Sequence, residues 1–156
     1  MICNSTQRDL IQLPEIMVKH SGVVVLKRLV DERDGVLCIA EMTRDIPFEA
    51  KRVYYISHLD QQASLRGKHA HHALRQVIFC INGSFVLTLD DGETKQDVMM
   101  WREDVGVVLG PHLWHTMHSF SNGCILLVFA SDYYDESDYI RNYDEFLKVV
   151  GKGDNT

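Results

Sequence analysis

No run in this chain approaches 18 consecutive apolar residues, so no transmembrane helix is expected. The stretch from Met1 to Pro14 lacks the basic start and apolar core of a secretory signal. Cys-x-x-Cys pairs are absent, and the four cysteines (Cys3, Cys38, Cys80, Cys124) are scattered, three of them in apolar, strand-like contexts. That pattern argues against a structural zinc site or a disulfide frame and fits small buried hydrophobes in a reducing, cytoplasmic setting. Positive charge is in short supply. With 16 Lys and Arg against 22 Asp and Glu, the net charge is -6, which argues against non-specific binding to nucleic acid or anionic membrane. A local basic pocket for a small phosphorylated ligand is still compatible with that balance. There is no Gly-rich phosphate loop, dinucleotide fingerprint or nucleophile elbow. There is also no internal repeat, linker or low-complexity block.

What is present is a single domain's worth of chain: 156 residues, 46% apolar and 24% charged. Short β-branched runs recur along it, at 23–30, 36–42, 51–56, 76–81, 84–89, 94–100, 105–109, 113–118 and 123–130. They are punctuated by Asp34-Gly35, Asn82-Gly83, Asp90-Asp91-Gly92 and Gly110-Pro111. Many short strands with such turns indicate an all-β barrel or jelly roll. Residues 1–20 read as a loose or partner-dependent arm. Helical spacing is found only at the tail, where Tyr139, Ile140, Tyr143, Phe146, Leu147 and Val150 predict a helix over 135–150, started by Ser137 or Asp135.

The chemistry concentrates in Arg66-Gly67-Lys68-His69-Ala70-His71-His72, three of eight histidines within four positions. On a strand, His69 and His71 share one face, while Ala70 and His72 take the other. With His115 they could supply three nitrogens to a metal, but Arg75 and Gln76 stand where a ligand carboxylate is wanted, which counts against one. Proton transfer suits the pair better, because an imidazole serves as base and then as acid near neutrality. On 51–56, Arg52 and Tyr54 share one face and Val53 and Tyr55 the other, and either tyrosine could orient a hydroxyl or polarise a carbonyl. Arg52, Arg66 and Arg75 are the candidates to hold phosphate, since guanidinium forks match its oxygens. His112, His115 and His118 read as packing or ligand contacts, and His20 and His58 as surface residues.

Several motifs, in order, carry a resemblance over roughly residues 35–148. They are Ile46-Pro47-Phe48, Lys51-Arg52-Val53-Tyr54-Tyr55-Ile56, Arg66-Gly67-Lys68-His69-Ala70-His71, Gln76-Val77, Asn82-Gly83-Ser84, Leu89-Asp90-Asp91-Gly92, Gly110-Pro111 with Trp114-His115, Ala130 to Glu136, and Asp138-Tyr139-Ile140-Arg141. The chain resembles the dTDP-sugar 3,4-ketoisomerases, in the WxcM-like branch of the cupins. The resemblance implies a cupin jelly roll and a homodimer with exchanged N-terminal strands. It implies action on a dTDP-linked 4-keto-6-deoxy sugar without metal or other cofactor, whose carbonyl moves from C4 to C3 to feed a transaminase in surface-glycan synthesis. It makes His69 and His71 catalytic; to these the reading of the residues adds Tyr54 as catalytic and Arg52, Arg66, Tyr55, Gln76, Trp114 and His115 as substrate-binding. Two places depart from the pattern. Asp34-Gly35 replaces an Arg-Gly pair, and Thr116-Met117-His118-Ser119 replaces Glu-Met-His-Asp, removing two acidic groups from a wall expected to face the sugar. A 3,5-epimerase, a non-catalytic nucleotide-sugar binder and a metal-dependent oxygenase are the competing cupin readings.

Overall fold

A computed structural model describes residues 12–59 and 64–152. Two five-stranded antiparallel sheets face each other, as a jelly roll requires. The first runs β1 (Ser21–Val25), β9 (Val105–Leu109), β6 (Gln76–Asn82), β11 (Ile125–Ala130) and β4 (Arg52–Ile56). The second runs β12 (Tyr139–Ile140), β5 (Arg66–His71), β10 (Trp114–His118), β7 (Phe85–Asp90) and β8 (Lys95–Met100). A separate hairpin joins β2 (Lys27–Asp31) to β3 (Gly35–Ile39) across the expected Asp34-Gly35 turn.

Alternation decides which side chains go in. On β7, Phe85, Leu87 and Leu89 point inward and are fully buried, meeting Ile78, Cys80, Val107, Leu109, Leu126 and Val128 from the facing sheet. Strand β6 is buried on both sides. Its outward residues Val77 and Phe79 lie under Val24, Leu26, Ile46 and Phe48. These two layers leave one end of the sandwich, between β4 and β5, unfilled by core.

Three expectations are corrected. The strand expected over 23–30 is two strands: Leu26 still follows the β1–β9 register, donating its amide to the Asp104 carbonyl at 2.8 Å, and from Lys27 the chain pairs with β3 instead. The arm 1–20 is not loose over its described part. Met17 N–H donates to Gln96 Oε1 (3.0 Å), Gln96 Nε2 donates to the Glu15 carbonyl (2.7 Å), and Val18 is buried. Residues 1–11 lie outside the described residues.

The helix expected over 135–150 is three elements: a 3-10 turn Glu136–Asp138, strand β12, and a helix α1 confined to Tyr143–Val149 and capped by Asn142 rather than Ser137 or Asp135. Sheet pairing outcompetes helix here, because Tyr139 and Ile140 register against His71 and Ala70 of β5. Ile140 then meets Ala70 and Phe146 in a small core of its own beneath α1. No helix among the described residues is long and apolar enough to cross a membrane.

Candidate active site

A cavity of about 560 Å³ opens between β4, at the edge of the first sheet, and β5, next to the edge of the second. β4 sends in Arg52, Tyr54 and Ile56; β5 sends in Arg66, Gly67 and His69; β6 sends in Gln76 and Ile78; β10 sends in His115 and Met117. The segment after β11 closes one side with Tyr134, Tyr139 and Arg141.

A β-bulge sets the phase of β5. His69 registers with His115 and Gly67 with Thr116, so Lys68 is an extra residue with no partner on β10. Arg66 and His69 are three positions apart and would face opposite ways in a regular strand, yet both line the cavity. Gly67 makes this possible. Its φ is +79°, and a Cβ there would sit 2.7 Å from the His115 carbonyl oxygen.

The result is a cluster of imidazoles. Ring centroids of His69 lie 4.9 Å from His71 and 4.6 Å from His115. Burial, then the neighbouring His71, pushes His69 down to about 4. Burial pushes fully enclosed His115 down to about 3. His71 is also lowered by burial, with Asp138 pulling the other way. All three imidazoles are therefore neutral at physiological pH.

Hydrogen bonds assign the protons. His71 Nδ1 lies 3.0 Å from Asp138 Oδ2, and a carboxylate can only accept, so Nδ1 carries the hydrogen. Asp138 is itself gripped by the amides of Ala73 (2.8 Å) and Leu74 (3.2 Å). That leaves Nε2 of His71 as a bare lone pair, buried and without a protein hydrogen bond among the described residues. His115 Nδ1 donates to the Leu113 carbonyl at 3.1 Å, fixing the same tautomer. His71 itself stands just behind the cavity lining, between His69 and the ring of Tyr139 at 4.4 Å.

Tyr54 is the complementary donor. Gln76 Nε2 donates to its hydroxyl oxygen at 2.7 Å, which turns the phenolic hydrogen elsewhere. Burial drives the phenol up to about 12, so it stays protonated. Cationic groups ring the polar part of the cavity. The guanidinium of Arg52 stacks between Tyr54 and Tyr134, 5.5 and 5.7 Å from their centroids, and its buried Nε makes no hydrogen bond among the described residues. Arg141 lies 4.2 Å over Tyr139 and forks onto Glu136 at 2.8 and 3.0 Å, while the Tyr134 hydroxyl donates to the same carboxylate. An acidic protein has thus gathered three arginines around one cavity, an arrangement suited to a diphosphate. Among the described residues no group of three or more His, Cys, Asp or Glu side chains is arranged to hold a metal ion.

Of the residues expected at the site, His69, Tyr54, Arg52, Arg66, Gln76 and His115 line the cavity, and His71 adjoins it. Tyr55 and Trp114 do not belong to it. Strand alternation turns Tyr55 out to solvent, 70% exposed, and turns Trp114 onto Tyr143 and Phe146 beneath α1. The same alternation moves Thr116 and His118 off the wall expected to face the sugar, and His118 Nε2 instead meets Thr88 Oγ1 at 2.9 Å. Arg75 reaches out to the Pro47 carbonyl at 2.9 Å, over the Phe48 ring, not toward phosphate. Sequence reasoning missed Tyr134, and it missed Asp138, Tyr139 and Arg141 because a helix was read through them. The signal was the short alternation Tyr139-Ile140-Arg141, with two polar side chains flanking an apolar one.

A family model described as FdtA: WxcM-like, C-terminal matches residues 19–151. The chain is 46% identical over 133 residues to the TDP-4-oxo-6-deoxy-alpha-D-glucose-3,4-oxoisomerase of Aneurinibacillus thermoaerophilus, covering 85% of this chain and 94% of that one. It is similar to a histidine-to-asparagine mutant of the 3,4-ketoisomerase QdtA from Thermoanaerobacterium thermosaccharolyticum, solved in complex with TDP-4-keto-6-deoxyglucose. That match has a TM-score of 0.83 at 38% identity and covers 90% and 100% of the two chains. The WlaRB TDP-quinovose 3,4-ketoisomerase of Campylobacter jejuni matches with a TM-score of 0.79 at 43% identity, over 84% and 99%. At 14% identity the RmlC epimerase of Mycobacterium tuberculosis shares the fold alone, with a TM-score of 0.68. A β-sandwich whose two sheets enclose neutral imidazoles and arginines, matched over most of its length by these enzymes, belongs to the FdtA, WxcM-like family of cupin-fold sugar 3,4-ketoisomerases.

Proposed function

We propose that this chain converts TDP-4-keto-6-deoxy-D-glucose into a TDP-3-keto-6-deoxyhexose by proton transfer through an enediol. The observation that carries the reading is the Asp138–His71 pair, which leaves a neutral imidazole with a bare Nε2 at a cavity ringed by arginines. The 4-keto group acidifies the hydrogen on C3. Nε2 of His71 takes that proton, the C3–H electrons form C3=C4, and the former carbonyl oxygen takes up negative charge. Tyr54, a protonated phenol with its hydrogen free, donates to that oxygen. The proton on His71 then returns to C4, while His69 takes the hydroxyl proton from O3 as the C3 carbonyl forms and passes it to O4, so that Tyr54 ends protonated and O4 ends as a hydroxyl. Atoms and charge balance without an outside reagent. Arg52, Arg66 and Arg141 hold the diphosphate or the developing oxyanion.

The relatives named above as TDP-sugar 3,4-ketoisomerases support the substrate class. The product, a 3-keto sugar, is what an aminotransferase making a 3-amino-3,6-dideoxy sugar would consume. We place the enzyme in the cytoplasm, consistent with free thiols at Cys38, Cys80 and Cys124. A homodimer with exchanged N-terminal strands is part of the same reading. The β2–β3 hairpin joins neither barrel sheet and exposes Leu29, Val30, Val36 and Leu37, so it is the segment available for exchange.

The test is NMR of TDP-4-keto-6-deoxyglucose with the enzyme in heavy water. The expected result is a product with a carbonyl at C3 and deuterium at C4, and deuterium at C3 in the 4-keto sugar recovered from the mixture. Exchange at C5 would indicate a 3,5-epimerase instead, and an unchanged sugar would indicate a binding protein. Loss of C3 exchange in His69→Asn but not in His71→Asn would reverse the two histidine roles.

A further inference from the structure

The cavity is chemically graded. Its cations come from β4 and β5, as Arg52 and Arg66, and from the closing segment, as Arg141. Its inner lining comes from strands further inside the sheets: Ile78 on β6, Leu109 on β9, Met117 on β10 and Val128 on β11. These four are 1%, 3%, 6% and 2% exposed and belong to the main hydrophobic core. They present only hydrocarbon and one thioether to the cavity, so nothing there offers a hydroxyl more than a weak acceptor. Between the two ends stand Tyr54, Gln76, His69 and His115. Register links the layers directly, because Val128 is flanked by Tyr54 on one side and Ile78 on the other, and Met117 lies one step of the pleat beyond His115.

A hexose joined to diphosphate through O1 has its C4 end farthest from the phosphates. With the diphosphate at the arginines, C3 and C4 fall beside the imidazoles and phenol, and the C6 methyl, carried on C5 next to C4, projects from that same far end toward the apolar lining. We propose that Ile78, Leu109, Met117 and Val128 form a seat for the C6 methyl group, and that this seat makes the enzyme selective for 6-deoxy over 6-hydroxy nucleotide sugars. The inference rests on the TDP-sugar reading and adds the orientation of the ring and the source of the discrimination. A methyl group gains from leaving water, whereas a CH2OH in the same place loses its water contacts and finds at most a weak acceptor. An apolar pocket rejects a group that merely adds a hydroxyl by a limited factor, about 100-fold at most.

The experiment is titration calorimetry of the full chain with TDP, TDP-glucose and TDP-6-deoxyglucose, two stable sugars that differ only at C6. The expected result is that TDP-6-deoxyglucose binds about tenfold to 100-fold more tightly than TDP-glucose. Val128→Thr, which exchanges one methyl for a hydroxyl at constant shape, is expected to shrink that ratio several-fold. TDP alone does not reach the seat, so its affinity reports whether the variant is folded. Equal affinity of the wild-type protein for the two sugars, with TDP still binding, overturns the seat and leaves the nucleotide-sugar reading standing. A ratio unchanged in Val128→Thr overturns it as well. If the wild-type protein binds none of the three, the nucleotide-sugar reading fails and the seat fails with it.

Discussion

Asp138 Oδ2 lies 3.0 Å from His71 Nδ1 although 67 positions separate the two residues. The contact exists because a two-residue strand, Tyr139–Ile140, pairs with the end of β5 and lays the preceding turn against it. Replacing Asp138 with Asn keeps the shape but no longer demands a hydrogen on Nδ1. We expect kcat to fall about 10²–10⁴-fold, the usual worth of a positioned base, with TDP affinity little changed. Single-turnover rates and calorimetry on Asp138→Asn read both quantities. A fall in TDP affinity matching the fall in rate would indicate a merely structural role.

Tyr54 is held as a donor by Gln76. Tyr54→Phe removes the hydrogen that the proposed mechanism aims at the developing oxyanion and leaves the ring beside Arg52. The expected loss is about 10²-fold in kcat. KM is expected to move much less, because the interaction strengthens only as charge builds on oxygen.

Gly67 is a conformational requirement. Its φ of +79° and the 2.7 Å approach to the His115 carbonyl leave no room for a methyl group. Gly67→Ala is expected to cost about 1–3 kcal/mol from backbone strain, more if the bulge is lost. Activity should fall further than stability, since Arg66 and His69 then no longer share a face. A denaturant melt alongside a rate assay separates the two effects.

Acid should unfold the barrel early. His69 and His115 titrate at about 4 and about 3 in the folded state, against an ordinary value of 6.5. The unfolded chain therefore binds more protons below 6.5, so stability is full above that pH and is lost progressively as pH falls through 6.5 toward 4 and then 3. Denaturant midpoints measured from pH 7.5 to 4.5 should decline across that window. His115→Gln, which has no proton to gain, should flatten the decline.

Much of this was legible beforehand. Alternation placed His69 with His71 and Arg52 with Tyr54, and Gly-containing turns located most hairpins, because both signals are local. What failed was non-local. Tyr54 and Tyr55 are equally plausible as site residues until one knows which face of β4 meets the other sheet. Trp114 is a large aromatic next to a site histidine, yet the alternation that sends His115 inward sends it outward onto Phe146. Around Tyr139 and Ile140 the helical spacing was real, but it competed with pairing to β5, a partner that lies 68 and 70 positions earlier in the chain.

The lateness of that pairing has a consequence for assembly. β12 adds only two residues to a sheet whose other strands are complete without it, and it brings Asp138, Tyr139 and Arg141 along together. During synthesis the histidines emerge long before this segment does. A chain that has closed both sheets but not yet docked its closing strand would hold every imidazole in place with no carboxylate to fix a tautomer and an open side to solvent. Docking β12 therefore supplies Asp138, Tyr139 and Arg141 to the cavity in a single step.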